Sequence, residues 1–298
     1  MSGAVHDLGY RRYVGTRRPP STRWRVILRN QVATAWSTWW RYKAWLAVAA
    51  AITVAVGALM YLWQAKLAPI AMNGPLHEGG NVLLPTTARW LRRVGFLVTL
   101  TVGASAIAAD RASGAFSFYF SRPVRPIDYL AGKLGGLIAL QAAVQVVPLL
   151  LLAVFRVGLV ANRADFAEEI VLVPRALGLG LLGAIVYAAV PIGVSALVPN
   201  RRNAVLVWVA YYVMVGGACT LIGMATGSAI GALDLGVALE SVGNALLHAR
   251  LTMLLGGTLV LPPLAWALVS LAVHVALAIG IAYARIRAAQ PSGVGGGS

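Results

Sequence analysis

Apolar residues come in blocks along this chain, each bounded by charge, glycine or proline. The first uncharged block, 44–65, lies between Lys43 and Lys66 and is long enough to cross a bilayer as one helix. The second, about 92–109, is shorter and opens with Arg92 and Arg93, side chains able to snorkel outward from a span's start. The third runs from about 130 to 155, with Gln141 and Gln145 one turn apart and Pro148 placed to kink it. The fourth, about 175–198, holds Gly178, Gly180, Gly183 and Pro191, glycines that suit close helix packing. A tight turn, Pro199-Asn200-Arg201-Arg202, leads to the fifth, from 203 to about 224. Residues 252–284 carry no formal charge, which is more than one crossing requires. Pro262 and Pro263 divide that run into a short re-entrant or interfacial helix and a sixth span, which Arg285 and Arg287 stop. The pattern predicts an all-α membrane protein with six transmembrane helices.

The segments around these blocks differ in kind. Residues 1–21 are polar and basic and predict a flexible N-terminus. Residues 22–43 predict an amphipathic interfacial helix. Trp24, Leu28, Val32, Trp36, Trp39 and Trp40 form one stripe, and arginines occupy much of the remainder, a mixture suited to headgroup depth. The spans then fill 44–287, and 288–298 is a glycine-rich, linker-like tail. No cleavable signal peptide is visible ahead of the first span. Between spans lie a loop with Pro75, Gly79, Gly80 and Pro85, and a polar segment, 156–175, holding Asp165, Glu168 and Glu169. Residues 225–251 form a less regular stretch with Asp234, Glu240 and Arg250.

Composition supports a membrane class: 59% of residues are hydrophobic and 11% charged, against about a quarter charged in soluble domains. The net charge of +16 is dispersed between spans, which points to anionic lipid headgroups and away from nucleic acid. With six spans, both termini, the segment between the second and third spans, and the 199–202 turn share one side. That side has 17 Lys/Arg and 3 Asp/Glu, the other 8 and 6, so the positive-inside rule assigns the first side to the cytoplasm. The single cysteine, Cys219, excludes an internal disulfide and reads as a packing residue.

The most distinctive stretch is 110–133, DRASGAFSFYFSRPVRPIDYLAGK, between the second and third spans. Asp110 and Arg111 end one apolar run, and Gly114 permits a sharp change of direction. A helix of about two turns over 115–121 puts Phe116, Tyr119 and Phe120 on one face and turns Phe118 away from it. Pro123 and Pro126 stop that helix beside Arg122 and Arg125, and Asp128 is placed to cap the next, beginning near Tyr129. The order acid-Arg-x-x-Gly (Asp110, Arg111, Gly114), aromatic turn, Arg-Pro-Val-x-Arg (Arg122 to Arg125), then Gly132-Lys133 opening a span resembles the permeases of type-2 ATP-binding-cassette (ABC) exporters. Ala115-Phe116 stands where that family more often has Thr and an aliphatic residue.

The resemblance implies that 110–133 is a cytoplasmic coupling segment docked into a separate ABC ATPase. Phe116, Tyr119 and Phe120 would fill the ATPase cleft, and Arg111, Arg122 and Arg125 would pair with acidic groups or phosphates. It also implies a second permease subunit, with the first and fifth spans near the subunit interface. ATP and Mg would be bound by the ATPase. The chain itself shows no phosphate loop, no HExxH or His-x-Glu metal pattern and no GxSxG elbow, so no cofactor is assigned to it. Gln141, Gln145 and His274 are the polar candidates for a pathway, each with a helix-to-helix hydrogen bond as the plainer role. An ATP-independent transporter and a non-transporting membrane subunit of a signalling ABC complex are the alternatives.

Overall fold

The computed structural model describes residues 22–37, 39–67, 79–120, 124–160, 163–247 and 260–289. Twelve α-helices occupy these segments, and no described residue lies in a strand. They are α1 (Arg23–Trp36), α2 (Lys43–Leu62), α3 (Gly79–Val98), α4 (Ala106–Ala112), α5 (Ala115–Phe120), α6 (Pro126–Gly158), α7 (Arg163–Glu169), α8 (Leu172–Leu197), α9 (Arg201–Val209), α10 (Gly216–Thr226), α11 (Leu235–Leu247) and α12 (Leu264–Ala288). Six runs are long and apolar enough to cross a membrane: Lys43–Ala65, Val82–Ala112, Pro126–Gly158, Asp165–Leu197, Arg201–Thr226 and Leu264–Ala288. This is an all-α membrane protein.

α6 and α8 form the centre, packed on each other along their length. α1, α2 and α3 lie against α6, and α12 lies against α8. Lipid offers apolar side chains no hydrophobic reason to leave it, so close approach between helices relies on small residues. Gly180 meets the Val146 backbone: a Cβ there would sit 2.9 Å from its Cα. Gly193 does the same for α12, with a virtual Cβ 2.6 Å from Ala278 Cα. Gly183 makes room for the Gln145 amide, whereas a Cβ on Gly178 would meet nothing within 4 Å among the described residues.

α1 occupies the segment expected to be interfacial, and only part of the stripe joins its seated face: Leu28 and Val32 pack against the bundle, the later tryptophans do not. Ile27, Gln31 and Ala35 are buried, and α1 sits on the glycines of α6. A Cβ on Gly132 would lie 2.6 Å from Ile27 Cβ, and one on Gly136 2.9 Å from Gln31 Cβ. Trp36, Trp39 and Trp40 are exposed. Tyr42 anchors the turn after them, donating its hydroxyl to the Leu140 carbonyl at 2.8 Å. Burial pushes its pKa up to about 12.

The second span is longer than the apolar run suggested. α3 begins at Gly79 and contains Pro85, so Pro85, Arg89, Arg92 and Arg93 are helical rather than in a loop or at a span's start. Arg92 does not snorkel outward. It is buried and paired with Glu240 of α11, a carboxylate that Arg89 shares. The pair lets a charged turn lie inside the bundle. Near its other end the span breaks at a π-turn, Thr99–Gly103, and restarts as α4. Ser195 of α8 spans the break, its hydroxyl oxygen accepting from the Ile107 and Ala108 N–H groups at 3.1 and 3.0 Å.

The predicted re-entrant helix at 252–261 lies largely outside the described residues. Among the described residues, the short helices before the sixth span are the 3-10 turn Ala229–Leu233 and α11. Arg156, in the last turn of α6, and Glu169, at the end of α7, form an ion pair at 2.6 Å, so these residues of the polar segment between spans belong to helix ends.

Candidate functional site

α5 stands between the end of the second span and the start of the third. Gly114 makes the entry turn with φ of 71°, a left-handed conformation that glycine adopts without steric cost. On the far side α6 begins at Pro126, earlier than the expected start near Tyr129. Proline suits the first helical position because its missing N–H would be unsatisfied there anyway. Asp128 therefore lies inside the first turn, where its carboxylate accepts the Arg125 N–H at 3.3 Å; it is not the capping residue itself.

The aromatic face of α5 is turned inward. Phe116 is 7% exposed, with its ring edge-on to Tyr129 of α6 at 5.4 Å and to Phe120 at 5.5 Å. Tyr119 also meets Tyr129, at 5.3 Å, and Tyr129 is wholly buried. Of the three rings expected in the ATPase cleft, Phe116 is thus buried within this chain, whereas Tyr119 and Phe120 are half-buried. Tyr129 supplies an aromatic platform behind α5, and the three rings close over it. Phe118, which sequence reasoning set aside, is the outward ring at 58% exposure.

Polar contacts fix this platform. The Tyr129 hydroxyl donates to Asp110 Oδ2 at 2.7 Å, and Lys133 Nζ pairs with the same oxygen at 2.8 Å. Lys133 also donates to Gln31 Oε1 of α1 at 3.1 Å. One network therefore ties α4, α6 and α1 together directly beneath α5. Burial, and then the Asp110 carboxylate, push the Tyr119 pKa upward, so its phenol stays neutral. Arg111 donates to the Ala196 carbonyl at the end of α8 at 3.3 Å, while the Arg125 side chain is exposed. Arg122 and Pro123 lie outside the described residues. Tyr129 and Gln31 were the members missed, and Lys133, named in the motif, had no partner assigned. The spacing of four between Tyr129 and Lys133 was visible, but their common partner was not.

Gln141 and His274 join neighbouring helices, and Gln145 supports Gln141 from one turn along α6. Gln141 donates to the Gly95 carbonyl at 3.0 Å, and Gln145 donates to Gln141 Oε1 at 2.8 Å, both side chains being buried. His274 is hydrogen-bonded through Nε2 to the Tyr211 hydroxyl, and its Nδ1 faces the Ser270 carbonyl at 2.7 Å. None of the three lines the cavity that described residues of α3, α8, α11 and the fifth span enclose. That cavity, of about 630 Å³, lies at the end of the bundle away from α5. Arg89, Arg92, Arg93, Glu240, Asp234, Trp90, Tyr187 and Tyr212 are among its walls.

A search of curated proteins finds no match. Residues 80–277, about two thirds of the chain, match the model of the ABC-2 family transporter proteins. That region holds α5 with its platform, the broken second span and most of the bundle. The chain belongs to the ABC-2 transporter family and is a membrane permease subunit of an ATP-binding-cassette system.

Proposed function

We propose that this permease is the membrane half of an exporter, driven by a separate cytoplasmic ATPase that seats on α5. The observation carrying the proposal is the two-sidedness of that helix. Its inner face is locked onto Tyr129, while Phe118 projects from its outer face, 58% exposed. A helix loosely attached to the bundle would absorb a push. This one would pass it to α6 through Tyr129 and Lys133, and to α1 through Gln31. ATP and Mg would stay on the ATPase. Both termini and α5 would face the cytoplasm of the cell's inner membrane, in keeping with the charge balance.

A second permease subunit completes the reading. In the first and fifth spans only 11% of the most apolar window is buried within the chain, against 67% in the second and fourth. Those two spans have the most free surface to offer a second copy, with lipid around the remainder.

Co-purification tests the coupling reading. The chain is co-expressed with its ATPase, and Phe118→Ala is compared with Leu233→Ala, a residue 47% exposed at the other end of the molecule. Phe118→Ala should insert normally, because no span changes, yet lose most of the bound ATPase. Leu233→Ala should keep it. Wild-type ATPase retention by Phe118→Ala would reject α5 as the seat.

A further inference from the structure

The cavity away from α5 holds chemistry that coupling does not use. Arg89, Arg92 and Arg93, at spacings of three and four, share one side of α3, about 30 Å along the span from α4's end. Two carboxylates among the described residues line the cavity with them, and both are engaged. Glu240 accepts from Arg89 at 2.7 Å and from Arg92. Asp234 caps α11, accepting the Gly236 and Val237 N–H groups at 2.8 and 3.2 Å and the Thr220 hydroxyl at 2.8 Å. Three cations therefore face two occupied anions, leaving one positive charge in surplus.

Arg93 is the residue that carries the surplus. Its guanidinium lies 4.5 Å from the centre of the Trp90 ring, and the side chain is exposed. A guanidinium spread on an indole keeps its edge donors free for an incoming oxygen anion. Around it the wall is aromatic and aliphatic: Trp90, Tyr212, Val213 and Val237. Tyr187 and Tyr212 close the floor, hydrogen-bonded to each other at 2.6 Å. A volume of about 630 Å³ falls within the usual range for small-molecule sites.

We infer that this cavity binds an amphipathic anion. One phosphate or carboxylate head would be held by Arg93 and the partly exposed Arg89, with an apolar body against Trp90, Tyr212, Val213 and Val237. A second copy of the chain does not suit the cavity. With the cavity on the two-fold axis the same surplus of positive charge would face itself, so a second copy would use other surface of the fifth span. The site is a property of this chain alone, so it stands or falls apart from ATPase docking.

The test uses the full chain in a neutral maltoside detergent, with binding followed by native mass spectrometry. Lysophosphatidic acid is the anionic probe, lysophosphatidylcholine its zwitterionic counterpart, and sodium phosphate the head without a chain. Lysophosphatidic acid should bind one to one, at least about tenfold more tightly than lysophosphatidylcholine, as expected for a charge-assisted contact. Arg93→Gln should weaken it by about the same factor and Arg93→Lys by less, with Arg285→Gln, exposed at the opposite end, as the neutral control. Trp90→Leu, which alters no charge, gives a second reading of the same site and should weaken binding several-fold. Displacement by sodium phosphate would support the site and assign it to soluble anions. Failure of phosphate to displace the lipid would support it as a site for lipid-like anions. Equal affinity for both lysolipids, or unchanged binding in Arg93→Gln, would overturn the inference.

Discussion

Glu240 should be the most sensitive charged residue in the bundle. Its side chain is 5% exposed and serves two guanidiniums, Arg92 at 8% and Arg89 at 25%. Glu240→Gln keeps the shape and one accepting oxygen but removes the charge that allows Arg92 to be buried. Removing one partner of a buried pair typically costs about 3–5 kcal/mol, because the other charge is left uncompensated. The Arg89 contribution is discounted, since that side chain has water within reach. The partly retained hydrogen bond sets the expectation at the lower end, about 3 kcal/mol for Glu240→Gln. Adding Arg92→Met should recover much of the loss, because an apolar side chain in that position needs no partner. Reversible unfolding in mixed micelles, followed by circular dichroism over the four proteins of the cycle, measures both effects. A coupling energy below about 0.5 kcal/mol, the usual scatter for independent sites, would refute the argument that α11 is held to α3 by this pair.

Four further outcomes follow from the same structure. Gly132→Ala places a methyl 2.6 Å from Ile27 Cβ and 2.7 Å from the Trp24 carbonyl, so α1 must lift. A Leu28→Cys/Gly135→Cys pair, in a Cys219→Ser background, should then cross-link less well. Tyr129→Phe loses the 2.7 Å bond to Asp110, worth about 1.5–3 kcal/mol for a charged acceptor, and should make α5 more accessible to protease. Gly114→Ala forces a side chain into φ of 71° at a cost of about 1–2 kcal/mol, and should reduce ATPase retention without affecting insertion. Impermeant thiol reagents should label Arg201→Cys and Arg287→Cys, in the Cys219→Ser background, only in broken cells; labelling in intact cells would reverse the orientation.

Much of the architecture was legible because it is local. The length of an apolar block sets whether a helix reaches across a bilayer, and Gly114, Pro123 and Pro126 act within a residue or two of themselves. These features located the spans and α5 and supported the family resemblance. The rotation of each helix was not local. A span apolar on every side has no preferred face in lipid, so its orientation comes from small residues and polar partners on other helices. The sequence grouped Phe116, Tyr119 and Phe120 on one face of α5. Only Tyr129, arriving from beyond the prolines, decided that this face turns inward and leaves Phe118 outside. Arg92 looked like the end of a span because its partner, Glu240, lies 148 residues away. Burial of a charge is decided by whether its counter-charge reaches it, and that meeting exists only in the folded bundle.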